Sequence, residues 1–248
     1  MKIVIIGTGN IGATLARKLK AAGHEIRVAN SGGVSGVRAF AEEIGAEPVD
    51  VRGAVDGVDL IVLSIPLPAL SALPSNLFSA VSDSVPVVDT SNYYPGLRDP
   101  RIAELDEGMT ESVWVAKQIG RPVIKGFNNV LAYTLAELGL PEGSPGRLAA
   151  AVAGDDPKAK QTVMSLVSEV GFDPVDGGSL DVSWRQQPCA PSYCCDYDAA
   201  TMQKALLMAV KGQAAAKRDE LPKHFAKLGA NASHSEVVAM NRSFNPLD

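Results

Sequence analysis

Short, almost wholly apolar runs alternate along this chain with runs of helical period. Residues 2–6 and 25–29 predict the first two strands. Between them Ile11, Leu15, Leu19 and Ala22 recur at helical spacing, and Gly23 stops the run. A helix near 34–44 leads to a short strand near 47–50. Residues 59–64 form a continuous apolar strand, as in a parallel sheet covered on both faces, and Pro66 and Pro68 end it. Residues 85–89, 122–125 and 149–153 give three more strands. Asp155, Asp156 and Pro157 then start a helix, with a carboxylate as its cap and proline in its first turn. Residues 172–175 are the last strand. The order predicts an α/β fold built on a doubly wound parallel sheet.

The composition shifts after Gly177 and Gly178. Residues 179–198 form a polar loop rich in Ser, Gln, Pro, Cys and Tyr. Residues 199–217 carry a helical pattern through Met202, Leu206, Ala209 and Val210, and the tail from Leu221 is mixed. The expected division is a nucleotide-binding domain over 1–178 and a loop and small helical part over 179–248. The second part is too short to be an independent catalytic domain. It reads as a substrate cover or a dimerisation element.

The first predicted strand runs directly into Gly7-Thr8-Gly9-Asn10-Ile11-Gly12, which opens the first helix. This is the Rossmann-type βαβ context in which three glycines have separate tasks. The first allows a tight turn, the second lets a pyrophosphate approach the backbone, and the third brings helix against strand. Sites for NAD usually end the second strand in Asp or Glu, on the ribose 2′-hydroxyl. Here Asn30 and Ser31 stand there, followed by Gly32 and Gly33. With no carboxylate to repel a 2′-phosphate, and with groups that donate to one, NADP is favoured over NAD. Arg38, about one turn into the next helix, either reaches that phosphate or is a solvated helix charge.

Composition narrows the class. The chain has 248 residues and a net charge of −5, with no sustained basic run, so nucleic acid is not an expected partner. No stretch approaches eighteen apolar residues, so no transmembrane helix is expected. A strand at residue 2 leaves no room for a signal peptide, and three cysteines suit a reducing cytoplasm better than a disulfide framework.

Ligands of open α/β sheets bind beyond the carboxyl ends of the strands. Besides the glycine loop, three polar clusters occupy such ends. Ser64, Ile65 and Pro66 are placed to pass beside the cofactor, or only to terminate a strand. Thr90, Ser91 and Asn92 can hydrogen-bond a carboxamide or ribose, or simply make a turn. Lys125, Asn128 and Asn129 can hold a substrate, with a strand-end surface charge as the alternative for Lys125. Trp184 opens a polar and aromatic segment that either lies on a substrate or links the sheet to the C-terminal part. Cys189, Cys194 and Cys195 lack metal spacing, so no metal site is expected. His24, His224 and His234 are scattered, and no side chain stands out as a general base. Hydride transfer between two stacked redox rings needs positioning more than a base.

Several runs together resemble the coenzyme F420-dependent NADP reductase family, in its bacterial NAD(P)-binding reductase branch. They are residues 89–95 (Asp-Thr-Ser-Asn-Tyr-Tyr-Pro), 125–129 (Lys-Gly-Phe-Asn-Asn), 152–156 (Val-Ala-Gly-Asp-Asp) and 183–188 (Ser-Trp-Arg-Gln-Gln-Pro), with the glycine half and the turn at Ser64 to Pro66. The resemblance covers most of residues 1–210. It implies a Rossmann domain, a small helical C-terminal part, usually a homodimer, and hydride transfer between NADPH and the deazaflavin F420. By position it implies that Gly7 to Gly12 hold the pyrophosphate, Asn30 and Ser31 the 2′-phosphate, and Pro66 and residues 90–92 line the cofactor. Related sequences commonly carry Arg where this chain has Gly32. Two further readings share the cofactor half: a reductase of a small carbonyl or imine compound, and a non-catalytic NADP(H) sensor.

Overall fold

A computed structural model describes residues 1–247. Six parallel strands form the main sheet: β1 (Lys2–Ile6), β2 (Glu25–Ala29), β3 (Glu47–Pro48), β4 (Leu60–Leu63), β5 (Val87–Asp89) and β6 (Ile124–Lys125). Their order is β3-β2-β1-β4-β5-β6, so the chain turns back beside β1, and the direction of winding changes between β1 and β4. Helices α1 (Asn10–Ala21), α2 (Gly33–Ile44), α3 (Val51–Ala54), α4 (Ala103–Asp106) and α5 (Glu111–Ile119) supply the crossovers, with a 3₁₀ helix at Leu67–Ala72. The doubly wound parallel sheet expected from the sequence is present, and so is the helical C-terminal part.

Burial follows from strand alternation. In β1, Ile3 and Ile5 join one apolar cluster with Leu15 and Leu19 of α1, Val62, Val88 and Phe172. Val4 and Ile6 join the opposite cluster with Ile61, Leu63, Tyr93 and Trp114. Both faces of β1 and β4 are therefore covered, which is why those strands carry almost no polar residue.

Beyond β6 the chain forms α6 (Ala132–Glu137), β7 (Ala149–Val152), α7 (Pro157–Glu169) and β8 (Asp173–Asp176). Strands β7 and β8 pair with each other in parallel, Ala151 opposite Val175. They join the main sheet through one antiparallel bridge, in which Lys125 N donates to Ala153 O (2.8 Å) and Ala153 N to Lys125 O (3.0 Å). The pair thus runs against the other six strands.

The helix expected over 199–217 is two helices, α8 (Ala199–Met208) and α9 (Gln213–Asp219). Ala209 is extended and Gly212 takes a left-handed φ of +87°, which breaks the hydrogen-bond ladder between them. Of the apolar pattern only Met202 and Leu206 are buried on α8, joined there by Ala205, while Leu207 and Val210 are exposed. The mixed tail forms α10 (Leu221–Leu228) and α11 (His234–Ser243). Ser233 and Glu236 close a capping box at the start of α11. No helix among the described residues is long and apolar enough to cross a membrane.

Phe172 is fully buried where β8 meets the α1 face. Phe172→Ala should cost about 3–5 kcal/mol through lost transfer energy and an unfilled cavity. Urea unfolding checks this as a lower midpoint with an unchanged slope.

Candidate functional site

The glycine loop sits at the carboxyl end of β1. Gly7 has φ +106°, and a Cβ there would strike the Ser64 carbonyl. A Cβ at Gly12 would strike the Gly7 carbonyl, so helix and strand touch backbone to backbone. Gly9 is different: its backbone is extended and nothing lies within 4 Å of its missing side chain. The space above Gly9 is therefore open. Helix α1 begins there with no side-chain cap and no acidic residue in its first turn. Its free N–H groups and positive dipole end face that space, and an anion fits. Asn10 is exposed, and Ile11 is half-buried against the core.

Asn30 follows β2, and its side chain shapes the loop. Its Oδ1 accepts from Gly32 N (2.8 Å), and its Nδ2 donates to Thr8 Oγ1 (3.1 Å) and Gly36 O (3.4 Å). The amide expected to meet a 2′-phosphate is thus occupied in joining the loop after β1 to the loop after β2. Ser31 is exposed, and α2 begins without a side-chain cap or an acidic first turn. Arg38 is exposed on α2, and among the described residues no ion pair holds it.

The other strand ends converge. Ser64 and Ile65 are half-buried and Pro66 is exposed beside the glycine loop. Thr90 Oγ1 donates to Leu63 O (3.2 Å), tying the end of β5 to that of β4. Asn92 and Asn128 exchange hydrogen bonds: Asn92 Nδ2 donates to Asn128 O and Asn128 Nδ2 to Asn92 Oδ1, both 3.0 Å. Asn128 also accepts from Gln186 Nε2 (2.9 Å) and donates to Gln186 O (2.7 Å). Asn129 donates to Ser192 O (3.3 Å) and accepts from Ala151 N (3.3 Å).

Beneath this lies a buried charge network. Lys125 and Asp89 are both 0% exposed and paired at 3.1 Å. Lys125 also donates to Ser91 O, Ser91 N to Asp89 Oδ1 (2.9 Å), and Ser112 Oγ to Asp89 Oδ2 (2.7 Å). These hydrogen bonds are what makes such a buried pair tolerable. The expectation that Lys125, Asn128 and Asn129 face a ligand, or that Lys125 is a surface charge, differs from the structure. Their side chains point inward and bind the protein itself, because the 183–195 segment covers them. The buried Ser91 Oγ is left without a partner.

Segment 183–195 is a buried strap: Ser183, Gln186 and Cys189 to Cys195 are all buried. Phe127, Cys189, Cys194 and Asp196 have left-handed φ values of 59°, 64°, 53° and 49°. Such conformations are costly for residues with a Cβ and persist only where surroundings fix them. Burial pushes the Cys189 thiol up to about 12 and Cys195 to about 11, with Cys194 also well raised. None of the three is a ready thiolate. No cluster of three or more metal-ligating side chains occurs among the described residues.

Sequence reasoning missed Glu111. It stands at the start of α5, where an acidic residue reads as ordinary helix-terminal charge. Only the fold reveals that it is 1% exposed. Its Oε2 accepts from Tyr93 N (3.3 Å), directly after the 90–92 turn, and its Oε1 has no partner. Burial raises its pKa, against the pull of Lys125, Gln187 and Arg218. It lines a cavity of about 390 Å³ that also reaches Trp184.

The sequence profile of the family described as "NADP oxidoreductase coenzyme F420-dependent" matches residues 2–93. The Escherichia coli (strain K12) protein YjhV is 56% identical over 106 residues, 43% of this chain and 77% of YjhV. The chain belongs to the F420-dependent NADP oxidoreductase family. Among solved structures, the hypothetical protein SMa0349 of Sinorhizobium meliloti is 29% identical with a TM-score of 0.61, over 74% of this chain and 87% of that one. A proposed F420-dependent NADP-reductase of Arthrobacter sp. FB24 gives a TM-score of 0.59 at 21% identity, over 75% and 87%. The fold is also that of a reductive aminase from Aspergillus terreus, solved with NADPH and ethyl levulinate (TM-score 0.53, 12% identity, 98% and 71% covered). Membership marks the chain as an oxidoreductase of the NADP-linked class.

Glu111 has a consequence for stability. Below its ordinary pKa near 4.5, folded and unfolded chains both hold the proton. As pH rises further, the unfolded chain releases it while the folded chain keeps it. Stability from this group is therefore lost progressively until pH passes the raised folded value. Glu111→Gln, which keeps an acceptor for Tyr93 N, should flatten that slope. Urea midpoints of both proteins between pH 4.5 and 8 read the difference.

Proposed function

We propose that this protein binds NADP(H) across the ends of β1 and β2 and exchanges a hydride with a deazaflavin (F420) or flavin-type acceptor. The observation that carries the cofactor half is a pair of uncapped helix N-termini, α1 and α2, on either side of an Asn30 that stands where a carboxylate would select NAD. Gly7, Thr8, Gly9, Asn10, Ile11 and Gly12 would hold the pyrophosphate. Ser31 and the first N–H groups of α2, with Arg38 in reach of solvent there, would hold the 2′-phosphate. Ser64, Ile65, Pro66 and the 90–92 turn would line the remainder, with Lys125, Asn128 and Asn129 positioning that turn from beneath. When bound, the dinucleotide supplies a hydride from its reduced nicotinamide. The chain's own part is to hold the ring edge, exclude water with the strap, and present Trp184 beside the acceptor.

Family membership supports the deazaflavin acceptor. A second reading, reduction of a small carbonyl or imine compound, is favoured by the Glu111 cavity, because such a reduction needs a proton as well as a hydride. A homodimer in the cytoplasm completes the proposal; exposed Leu207, Met208 and Val210 near the end of α8 are available to a second copy. NADPH oxidation measured side by side with F420, FMN, riboflavin and small carbonyl compounds tests the acceptor. Cofactor binding with no turnover anywhere would instead favour the sensor.

Two substitutions test the cofactor site. Gly9→Val should fold normally, since its position is extended and open, yet abolish NADPH binding in calorimetry. Normal binding by a folded variant would reject the site. Asn30→Asp keeps the acceptor for Gly32 N, and the Thr8 hydroxyl can turn to donate. Its charge should weaken NADPH binding about tenfold or more and favour NADH. An unchanged preference would show that Asn30 does not read the cofactor.

A further inference from the structure

Three side-chain amides form a chain from the strap to the turn after β5. Gln186 is 0% exposed, and its Nε2 gives one hydrogen to Ala151 O (3.2 Å) and the other to Asn128 Oδ1 (2.9 Å). Asn128 is 2% exposed, and its Nδ2 gives one hydrogen to Gln186 O (2.7 Å) and the other to Asn92 Oδ1 (3.0 Å). Asn92 Nδ2 returns one hydrogen to Asn128 O (3.0 Å). The backbone carbonyls of Ala151, Gln186 and Asn128 can only accept, so each amide has one orientation that satisfies its neighbours.

The two buried amides have spent both hydrogens on the protein. Among the described residues, the one hydrogen of this chain without an acceptor is the second on Asn92 Nδ2. Both bonds of the Asn92 amide go to Asn128. The second N–H of a planar amide diverges from the first, so it points away from Asn128. Asn92 is also the half-buried member of the three, in the turn that follows β5. Gln186 carries a further sign. Its Oε1 has no partner and packs on Gly177, where a Cβ would come within 2.7 Å of it. An unsatisfied buried oxygen costs stability, and an apolar side chain would avoid that cost. What this glutamine contributes therefore lies at Nε2, where it holds Asn128.

We propose that Asn92 donates its free N–H to the carboxamide oxygen of the nicotinamide, and that Asn128 and Gln186 are positioning residues that hold the donor in place. This rests on the dinucleotide half of the reading above. On that reading the 2′-phosphate lies beyond β2 and the pyrophosphate beyond β1, so the nicotinamide end extends past β4 towards β5. The carboxamide oxygen is the hydrogen-bond acceptor that the nicotinamide ring carries, and a lone N–H is its complement. The strap is thereby joined to the cofactor ring through Gln186, although Gln186 touches no ligand.

Calorimetry with three ligands tests this without turnover. They are NADP⁺, its thionicotinamide analogue, in which sulfur replaces the carboxamide oxygen, and 2′-phospho-ADP-ribose, which lacks the nicotinamide. Wild type should bind the thio analogue about fivefold more weakly than NADP⁺, because sulfur is the poorer acceptor. Asn92→Ala should bring that ratio to about one by weakening NADP⁺, with 2′-phospho-ADP-ribose unchanged. Gln186→Met should bring it to about twofold, again with 2′-phospho-ADP-ribose unchanged. A glutamine that only clasped the strap would lower the urea midpoint when replaced and leave the ratio where it was, which would overturn its positioning role. Equal binding of NADP⁺ and the thio analogue by wild type would overturn the inference and leave the dinucleotide site standing. Equal weakening of NADP⁺ and 2′-phospho-ADP-ribose in Asn92→Ala would overturn it too, since the effect would then lie on the ribose or on the fold. Failure of wild type to bind any of the three would overturn the dinucleotide reading and the inference together. Circular dichroism establishes that each variant is folded. The wild-type ratio needs no variant, so it decides even if Asn92→Ala or Gln186→Met does not fold.

Discussion

Two opposite charges, Asp89 and Lys125, are held entirely out of water at adjacent strand ends, and the site above them depends on that pair. Neither ion can be left alone at such depth, since an unpartnered buried charge costs several kcal/mol. The demand for full satisfaction recruits neighbours. Ser91 gives its N–H and its carbonyl, so the 90–92 turn is anchored at two points. Ser112 gives its hydroxyl, so the start of α5 is drawn onto β5. Glu111, one residue earlier, is carried inward with it. The 90–92 turn and the Glu111 carboxyl are thus fixed by one electrostatic requirement.

Much of the sheet was legible because parallel strands covered on both faces leave an unmistakable pattern. Residues 2–6 and 60–63 have no polar alternation to mislead, and the glycine loop follows from where β1 ends. The break at Ala209 was not legible, because apolar residues at helical spacing continue through it; the left-handed Gly212 is the local reason, and Leu207 stays exposed. The inward turn of Lys125 was also hidden. A lysine at a strand end looks like surface charge until the strap is known to close over it, and that closure depends on contacts between residues about sixty positions apart, such as Asn128 with Gln186. Glu111 was invisible for the same reason: its type and helix position are ordinary, and only its depth is not.

The family's fold carries several chemistries, and shared architecture does not choose among them. The discriminating features lie where this chain departs from a bare dinucleotide fold: the strap, the reversed β7–β8 pair beside it, and α9 closing the Glu111 cavity. The reversed pair contributes directly, since Ala151 O accepts from Gln186 Nε2 (3.2 Å) and Ala151 N donates to Asn129 Oδ1. The wall beyond the carboxyl edge is built from backbone as much as from side chains.

The strap is held from outside by the last helix. Asn241 donates to Cys194 O (3.1 Å), Arg242 Nε to Cys195 O (2.8 Å), and Asn245 to Cys189 O (2.9 Å). Helix α11 and the residues just after it are therefore a latch over three sequestered thiols. The three thiols are buried beneath it, so lifting the latch opens a local route to the sulfurs and frees the left-handed backbone at Cys189 and Cys194. The rate at which the thiols are alkylated would then count latch openings rather than global unfolding, a local clock written into the chain's own cysteines.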